Sequence, residues 1–218
     1  MEEKIRGCIF DLDGVVVDTA KYHYAAWKKL ADELGFYLSI EENEKLKGVS
    51  RMESLDIILK IGGIENCSQE RKRLLAEKKN MYYLEMLSDM GPSEILPGIV
   101  ELIKSLKMKG CRIALGSASK SAGMILKRLG IEELFDEIVD GNDIKHAKPH
   151  PEVFQTAAKK LGISYEKCMV VEDAKAGVEA AHACGMCCIG VGSSEALSAA
   201  DFHVESTAEL SNIFTVLV

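Results

Sequence analysis

Two aspartates follow the first apolar run of the chain and are spaced so that both can face one substrate. The run from Ile5 to Phe10 is short and apolar, which is typical of a buried strand, and Asp11 and Asp13 follow it directly. In extended backbone, residues two apart point to the same side. Placing two ionised carboxylates together in apolar surroundings is electrostatically unfavourable unless a bound proton or cation compensates their charge. The pair therefore predicts a Mg²⁺ site, although Asp-x-Asp-Gly alone is also a common start of a loop.

Three later segments carry chemically useful residues directly after apolar runs. The segment 116–120 offers hydroxyls and backbone amides at a predicted helix start, where phosphate oxygens are well accommodated. Lys148 could neutralise phosphate charge, and Glu172 with Asp173 offers the hard oxygen ligands that Mg²⁺ prefers. Each segment alone has an ordinary alternative, as a helix cap, a solvated lysine or surface charge. Together they predict one phosphate and magnesium site.

These residues require elements that bring them to one edge of the fold. Segments with helical spacing alternate with the apolar runs, and this alternation predicts a parallel sheet with helices on both faces. The active site is then expected at the carboxyl ends of the strands, where all the candidate residues fall. Short apolar runs predict strands at residues 5–10, 111–115, 137–139, 168–171 and 187–191.

A helical insertion interrupts this pattern. From about residue 15 to residue 96 the apolar residues repeat only at helical spacing, with Thr19 and Ser50 as predicted N-caps. Gly91-Pro92 and Pro97-Gly98 mark the predicted return to the core. The predicted domains are therefore a core of residues 1–14 and 97–218 and a helical cap domain of residues 15–96.

Composition narrows the class of protein. The net charge of −7 argues against a nucleic-acid partner, and no apolar stretch or basic leader predicts a membrane span or secretion. We expect a cytoplasmic monomer. The seven cysteines are expected to be reduced core thiols. Cys184, Cys187 and Cys188 include the C-x-x-C spacing found in metal-binding sites. No second Cys or His pair accompanies them, which favours a structural role.

The four motifs, in this order and spacing, resemble those of the haloacid dehalogenase superfamily over essentially the whole chain. The resemblance implies an α/β fold: a Rossmann-like three-layer core with a parallel sheet, plus an inserted α-helical cap domain. It also implies Mg²⁺ as cofactor and a phosphoryl group carried on an aspartate. By position, Asp11 is the implied nucleophile and Asp13 the implied general acid/base. The implied phosphate ligands are Ser117, Ala118 and Lys148, and the implied metal ligands are Asp11, Asp13, Glu172 and Asp173.

The insertion resembles the cap of the β-phosphoglucomutase-like subfamily at residues 18–23, 26–28, 46–51 and 78–80. By this resemblance, Arg51 with Ser119 and Lys120 would hold a non-transferring phosphate. Thr19 would lie in a hinge, and His23 and Lys79 would orient Asp13 and the substrate. Further implied substrate or cap residues are Trp27, Gly48, Val49 and Ser50.

The implied activity is a phosphomutase that interconverts β-glucose 1-phosphate and glucose 6-phosphate. The expected partners are a small phosphorylated sugar and a sugar bisphosphate that acts as activator and intermediate. One alternative is a sugar-phosphate phosphatase with the same core and a cap that admits water to the phosphorylated aspartate. A more distant alternative is a receiver-like phosphoacceptor module, against which the helical insertion and the proposed acid/base argue.

Overall fold

A six-stranded parallel sheet forms the centre of the larger of two compact units. The computed structural model describes residues 4–46 and 50–218. The strands are β1 (Gly7–Phe10), β2 (Arg112–Gly116), β3 (Glu137–Val139), β4 (Cys168–Glu172), β5 (Cys187–Val191) and β6 (Phe202–Val204). Their order across the sheet is β3-β2-β1-β4-β5-β6, and every pairing is parallel. This is the doubly wound Rossmann-like order, in which the strand order reverses between β1 and β4 and opens a crevice there.

Five of the six strands coincide with the predicted apolar runs, and β6 is an addition. The predicted α/β class with a parallel sheet is confirmed. The sixth strand, Phe202–Val204, pairs with β5 in the register Gly190 to His203. It contains only two apolar residues, separated by a histidine, so its apolar signal is too short to distinguish from a loop.

Helices connect the strands at the positions that the apolar periodicity predicts. Ile99, Leu102, Ile103 and Leu106 are buried on one helix, as the spacing requires. None of the helices in the described residues is both long enough and apolar enough to cross a bilayer. The helices are α1 (Ala20–Leu34), α2 (Ile40–Glu44), α3 (Arg51–Ile61), α4 (Gln69–Met86), α5 (Ile99–Met108), α6 (Ala122–Leu129), α7 (Glu152–Leu161), α8 (Lys175–Ala183) and α9 (Leu210–Leu217).

The chain divides into two compact units. One unit contains residues 1–18 and 90–218, and the other contains residues 19–89. In the larger unit, β1 and β4 are completely buried, which explains why their sequences are continuous apolar runs rather than alternating ones. Phe154 of α7 packs in the core cluster with Ile9, Ala114 and Val170. The strand ends are thereby fixed against a rigid interior.

The smaller unit is helical, with a core of its own. Trp27 and Leu30 of α1 pack with Leu55 and Ile58 of α3. Ser50 is the N-cap of α3, because its hydroxyl accepts the Glu53 N–H at 3.4 Å and the Glu53 carboxylate accepts the Ser50 N–H at 3.2 Å. This confirms the predicted cap at Ser50. Thr19 occupies the N-cap position of α1, but its side chain makes no capping hydrogen bond there.

The buried face of α4 differs from the one that its apolar residues suggest. Leu74 and Met81 are 53% and 60% exposed, whereas Ala76, Lys79 and Tyr83 are buried. A buried lysine needs partners, because burying an uncompensated ammonium is costly. The partners of Lys79 are described with the candidate site.

The cysteines are free thiols throughout. Cys184 and Cys188 are buried and Cys187 is exposed. Cys184 donates to the carbonyl of Ala180 at 3.2 Å, a contact within the local helix. Among the described residues, no potential metal group includes a cysteine.

Candidate active site

Asp11 and Glu172 end neighbouring strands and are joined by one lysine. Asp11 directly follows β1, and its backbone N–H donates to the carbonyl of Val171 in β4 at 3.0 Å. Glu172 is the last residue of β4. Lys148 comes from the loop before α7, and its ammonium donates to Asp11 Oδ1 and to Glu172 Oε1, each at 2.5 Å. Lys148 therefore bridges the two carboxylates.

The lysine and its two acids are buried together. The exposed fractions of the side chains are 10% for Lys148, 9% for Asp11 and 1% for Glu172. Burial by itself would lower the pKa of Lys148, but the charges of Asp11 and Glu172 outweigh it and raise the pKa above the usual lysine range. Burial raises the pKa of Glu172, and Lys148 opposes that shift. Lys148 is consequently an ammonium at any physiological pH.

A third carboxylate extends this pair into a cluster that fits a divalent cation. One oxygen each of Asp11, Glu172 and Asp173 lies within 4.8 Å of the others. Asp173 is exposed as a residue, yet desolvation of its carboxyl and the negative charges of Asp11, Glu172 and Asp13 raise its pKa. One lysine balances only part of this negative charge. Because the ligand atoms are all hard oxygens and repel one another, the residues present fit Mg²⁺.

Two glycines make room for these carboxylates. A Cβ atom on Gly14, whose φ is +78°, would lie 2.0 Å from Asp173 Oδ2. A Cβ atom on Gly177, in the first turn of α8, would lie 1.9 Å from Glu172 Cδ. Sequence reasoning included Gly14 in the aspartate motif but did not assign a role to Gly177. The available signal was a glycine inside a predicted helix shortly after the acidic pair, which often marks close packing.

The second motif forms a turn between β2 and α6. The Ser117 N–H donates to the carbonyl of Val139 at 3.0 Å, which continues the sheet pairing. The Ser117 hydroxyl accepts the N–H of Ser119 at 3.1 Å, so its hydrogen remains available to donate elsewhere. The carbonyl of Lys120 accepts the side-chain amide of Asn142 at 3.2 Å. The predicted residues Ser117, Ala118, Ser119 and Lys120 thus lie in one turn that follows the carboxyl end of β2.

Within the helical unit, four aromatic and basic residues form a second cluster. The ammonium of Lys79 lies 2.7 Å from His23 Nδ1. It also lies 4.7 Å from the centroid of the Trp27 ring and 5.0 Å from that of Tyr83. The rings of His23 and Tyr83 stack with a centroid separation of 4.2 Å. Sequence reasoning missed Tyr83, although its place four residues after Lys79 puts both on one face of α4.

This cluster keeps His23 neutral. Burial, followed by the positive charges of Lys79 and Arg51, lowers the pKa of His23 to about 3. Because an ammonium can only donate, Nδ1 of His23 accepts the hydrogen bond from Lys79 and the ring proton lies on Nε2. Arg51 begins α3 directly after its N-cap, Ser50. Gly48 and Val49, two further predicted substrate residues, lie outside the described residues.

The sequence profile of the haloacid dehalogenase-like hydrolases matches residues 5–185, which include the carboxylate cluster, the Ser117 turn and the helical unit. The chain belongs to the haloacid dehalogenase-like hydrolase family.

Proteins with similar sequences include a mutase and a phosphatase. The chain is 41% identical to a β-phosphoglucomutase of Bacillus subtilis over 207 residues, which cover 94% of this chain and 92% of the relative. It is 32% identical to a fructose-1-phosphate phosphatase of Escherichia coli over 88% of this chain and 98% of the relative. A crystal structure of β-phosphoglucomutase from Clostridium difficile matches with a TM-score of 0.87, 43% identity and 97% coverage of both chains.

The haloacid dehalogenase-like fold accounts for how the predicted core residues meet. Asp11, Lys148 and Glu172 are joined by direct ion pairs, and Asp173 lies beside them. Asp13 follows Asp11 by two residues and contributes negative charge to the surroundings of Asp173. The predicted cap residues His23, Trp27 and Lys79 meet within the helical unit.

Proposed function

We propose that this chain is a β-phosphoglucomutase, which interconverts β-glucose 1-phosphate and glucose 6-phosphate with Mg²⁺ as cofactor. The observation that carries the proposal is the 41% identity to a β-phosphoglucomutase over 94% of the chain. That similarity extends through the helical unit as well as the core, and it exceeds the 32% identity to the fructose-1-phosphate phosphatase. The buried ion pairs of Lys148 with Asp11 and Glu172 also support the proposal, because phosphoryl transfer depends on positioning and charge neutralisation.

Asp11 is the proposed nucleophile. Its carboxylate attacks phosphorus, so that a bond from the Asp11 oxygen to phosphorus forms while the bond from phosphorus to the sugar oxygen breaks. The ammonium of Lys148, 2.5 Å from Oδ1, restrains rotation of the carboxylate and places positive charge beside the transferring group. Such positioning and charge neutralisation supply most of the catalysis in phosphoryl transfer.

Asp13 is the proposed general acid/base. When the phosphoryl group moves from Asp11 to a sugar hydroxyl, Asp13 takes the proton of that hydroxyl. When Asp11 later takes the other phosphoryl group of the sugar bisphosphate, Asp13 returns the proton to the departing sugar oxygen. Each cycle thus ends with Asp11 phosphorylated again and Asp13 deprotonated again. A sugar bisphosphate is the intermediate, and it is also the activator that first phosphorylates Asp11.

The turn after β2 would bind the transferring phosphate. The hydroxyl of Ser117 and the backbone N–H of Ala118 are the proposed donors, and Lys148 is the proposed cationic partner. The backbone N–H of Ser117 is not available for this role, because it donates to Val139. The contribution of Ser117 therefore comes through its side chain.

Asp11, Asp173 and Glu172 would hold Mg²⁺, together with Asp13 through its backbone carbonyl. When bound, Mg²⁺ neutralises charge on the phosphoryl oxygens and on the surrounding carboxylates. The support for this assignment is the close approach of three carboxylates, whose ligand atoms lie within 4.8 Å of one another.

A mutase must also hold the phosphate that does not react and exclude water from the phosphorylated aspartate. Arg51, Ser119 and Lys120 are the proposed ligands of the non-reacting phosphate. His23 and Lys79 are the proposed residues that orient Asp13 and the sugar, and Trp27, Ser50, Gly48 and Val49 are proposed to shape the cap, with a hinge at Thr19. The fixed hydrogen bond between Lys79 and His23 supports a positioning role, since it holds both side chains in one orientation.

Phosphorus NMR tests the proposal directly. With Mg²⁺ and a trace of glucose 1,6-bisphosphate, β-glucose 1-phosphate should convert to glucose 6-phosphate without stoichiometric release of inorganic phosphate. The Asp11→Asn variant should be inactive under the same conditions. Full activity of that variant, or failure of the wild type to turn over any sugar phosphate, would contradict the proposed nucleophile.

The second candidate function is a sugar-phosphate phosphatase. The observation that favours it is the match to a fructose-1-phosphate phosphatase that covers 98% of that relative. A phosphatase would release inorganic phosphate at the rate of substrate loss and form no isomerised sugar, so the same NMR spectra distinguish the two functions.

A further inference from the structure

Two histidines and a glutamate form a compact group on the loop that carries Lys148. His146, His150 and Glu152 each offer one ligand atom, and these atoms lie within 4.8 Å of one another. His146 Nδ1 lies 2.9 Å from Glu152 Oε2, and His150 Nδ1 lies 4.0 Å from the same oxygen. The two imidazole rings are 4.6 Å apart between centroids. Both histidines are exposed, so an ion can reach them from solvent.

The carboxylate of this group is held in place by backbone hydrogen bonds. Glu152 Oε1 accepts the N–H of Lys145 at 3.1 Å, and Oε2 accepts the N–H of His146 at 2.9 Å. These bonds hold the pKa of Glu152 below its usual value, so the side chain is an anion. His150 is tied to the same residue, because its Nδ1 accepts the Glu152 N–H at 3.3 Å. All three side chains are thus attached to one short segment.

We propose that His146, His150 and Glu152 form a binding site for a divalent transition-metal ion such as Co²⁺, Ni²⁺ or Zn²⁺. Imidazole nitrogen with one carboxylate oxygen is a donor set that these ions prefer and that Mg²⁺ does not. Ligand atoms around such an ion lie ~3 to 3.5 Å apart, given metal–ligand bonds of about 2.1 Å. The observed separations of 2.9 and 4.0 Å bracket this range. Metal binding would replace the hydrogen bonds that His146 Nδ1 and His150 Nδ1 make with Glu152.

The proposed site is separate from the proposed magnesium site in both position and chemistry. None of its three ligands belongs to the residues proposed to bind Mg²⁺ or phosphate. The carboxylate cluster of Asp11, Glu172 and Asp173 contains no nitrogen ligand. The two proposals can therefore fail independently.

Cobalt binding measured in excess Mg²⁺ tests the proposal. The wild-type protein should bind one more equivalent of Co²⁺ than either His146→Gln or His150→Gln, in equilibrium dialysis at pH 7.5. His182→Gln is the matched control, since His182 is an exposed histidine with a carboxylate partner, Asp201, at 3.0 Å, and it belongs to no group of three potential ligands within the part of the chain that the structure describes. It should retain the full stoichiometry of the wild type.

A measurement on the wild-type protein avoids any effect of substitution on folding. In histidine-selective NMR spectra, substoichiometric Co²⁺ should broaden the imidazole signals of His146 and His150 before those of His182 and His203. Equal broadening of all four would overturn the proposal. So would unchanged stoichiometry in both glutamine variants, or a thiolate-to-cobalt absorption band that accounts for all the bound metal.

Discussion

Gly177 leaves the space that the carboxyl group of Glu172 occupies: a Cβ atom at position 177 would lie 1.9 Å from Glu172 Cδ and Oε1. Glu172 cannot move aside cheaply, because Lys148 holds Oε1 and the N–H of Ala174 holds Oε2 at 2.9 Å. The glycine therefore leaves room, from outside the recognised motifs, for the buried carboxylate that Lys148 and Ala174 hold in place.

Replacing Gly177 with alanine should displace Glu172 and weaken both folding and metal binding. We expect a loss of ~1–3 kcal/mol in the free energy of unfolding, as for other overpacked sites, and a higher Mg²⁺ concentration for half-maximal activity. Gly123→Ala is the control, since Gly123 is also helical but has nothing within 4 Å of a Cβ atom. That change should stabilise by up to ~1 kcal/mol through helix propensity. Equal effects of the two substitutions on urea unfolding would contradict the argument.

Replacing Asp13 with asparagine should slow turnover without preventing substrate binding. Loss of general acid/base catalysis typically costs ~10² to 10⁴-fold in rate, and we expect kcat to fall by at least ~10²-fold with little change in KM. Asp56→Asn removes an exposed carboxylate that pairs with Lys72 and should leave turnover unchanged. Near-normal kcat in the Asp13 variant would reject its role as acid/base.

Replacing Lys148 with methionine should destabilise the protein most when Mg²⁺ is absent. The change leaves Asp11 and Glu172 buried without their cation, and breaking a buried ion pair costs ~3–5 kcal/mol. Mg²⁺ should restore part of the loss, because a bound cation again compensates the carboxylates. The measurement is urea unfolding in EDTA and in Mg²⁺.

Lys160→Met is the control for this experiment. Its ammonium contacts the carbonyl of Ile138 at 3.0 Å and the carboxylate of Asp143 at 3.4 Å, on a side chain that is 36% exposed. A surface pair of this kind contributes ~1 kcal/mol or less, with no expected dependence on Mg²⁺. A loss in the Lys148 variant no larger than in this control would show that the buried pair does not stabilise the fold.

Stability should fall with acid in a way that depends on His23. Its pKa is about 3 in the folded protein, against about 6.5 in an unfolded chain, so the unfolded state binds the proton more readily. The contribution of His23 to stability is therefore complete above about pH 6.5 and is lost as the pH falls toward 3. NMR should show a neutral His23 ring with its proton on Nε2 at pH 5.

His23→Gln should lose less stability than the wild type between pH 7 and pH 5. Arg73→Gln is a suitable control, because Arg73 lies on the same helix as Lys79 but forms an exposed ion pair with Glu77. It should retain the wild-type dependence in this interval. Protonation of His23 at pH 6 in the folded protein would contradict the prediction.

Replacing Arg51 with alanine should weaken binding of the sugar bisphosphate more than it slows the chemical step. A charge-assisted bond to phosphate contributes roughly 1.5–3 kcal/mol, so we expect the KM to rise by ~10-fold or more. Arg73→Ala removes an exposed arginine from the same helical unit and should leave the KM unchanged. Steady-state kinetics with varied bisphosphate distinguish the two outcomes, and an unchanged KM in the Arg51 variant would remove it from the phosphate site.

Much of the core could be predicted because its signals are local. The apolar runs before Asp11, Ser117 and Glu172 are recognisable as strands, since a strand buried on both faces needs few polar residues. Parallel strands bring their carboxyl ends to one edge, so the position of the candidate site follows from the order of elements. The strand Phe202–Val204 could not be found in this way, because three residues around a histidine carry too little periodic signal.

The amino-acid sequence by itself determined the α/β class and the helical insertion, and it predicted the residues that would hold phosphate and Mg²⁺. Only the tertiary structure decided which side chains touch. Lys148 meets Asp11 across 137 positions, and Gly177 accommodates Glu172. Lys79 is buried beside His23, whereas Leu74 and Met81 of the same helix are exposed. Periodicity and motif spacing report the conformation of a few adjacent residues. The contacts of Lys148, Gly177 and Lys79 depend instead on how separate helices and strands pack, and this packing is set by the whole interior.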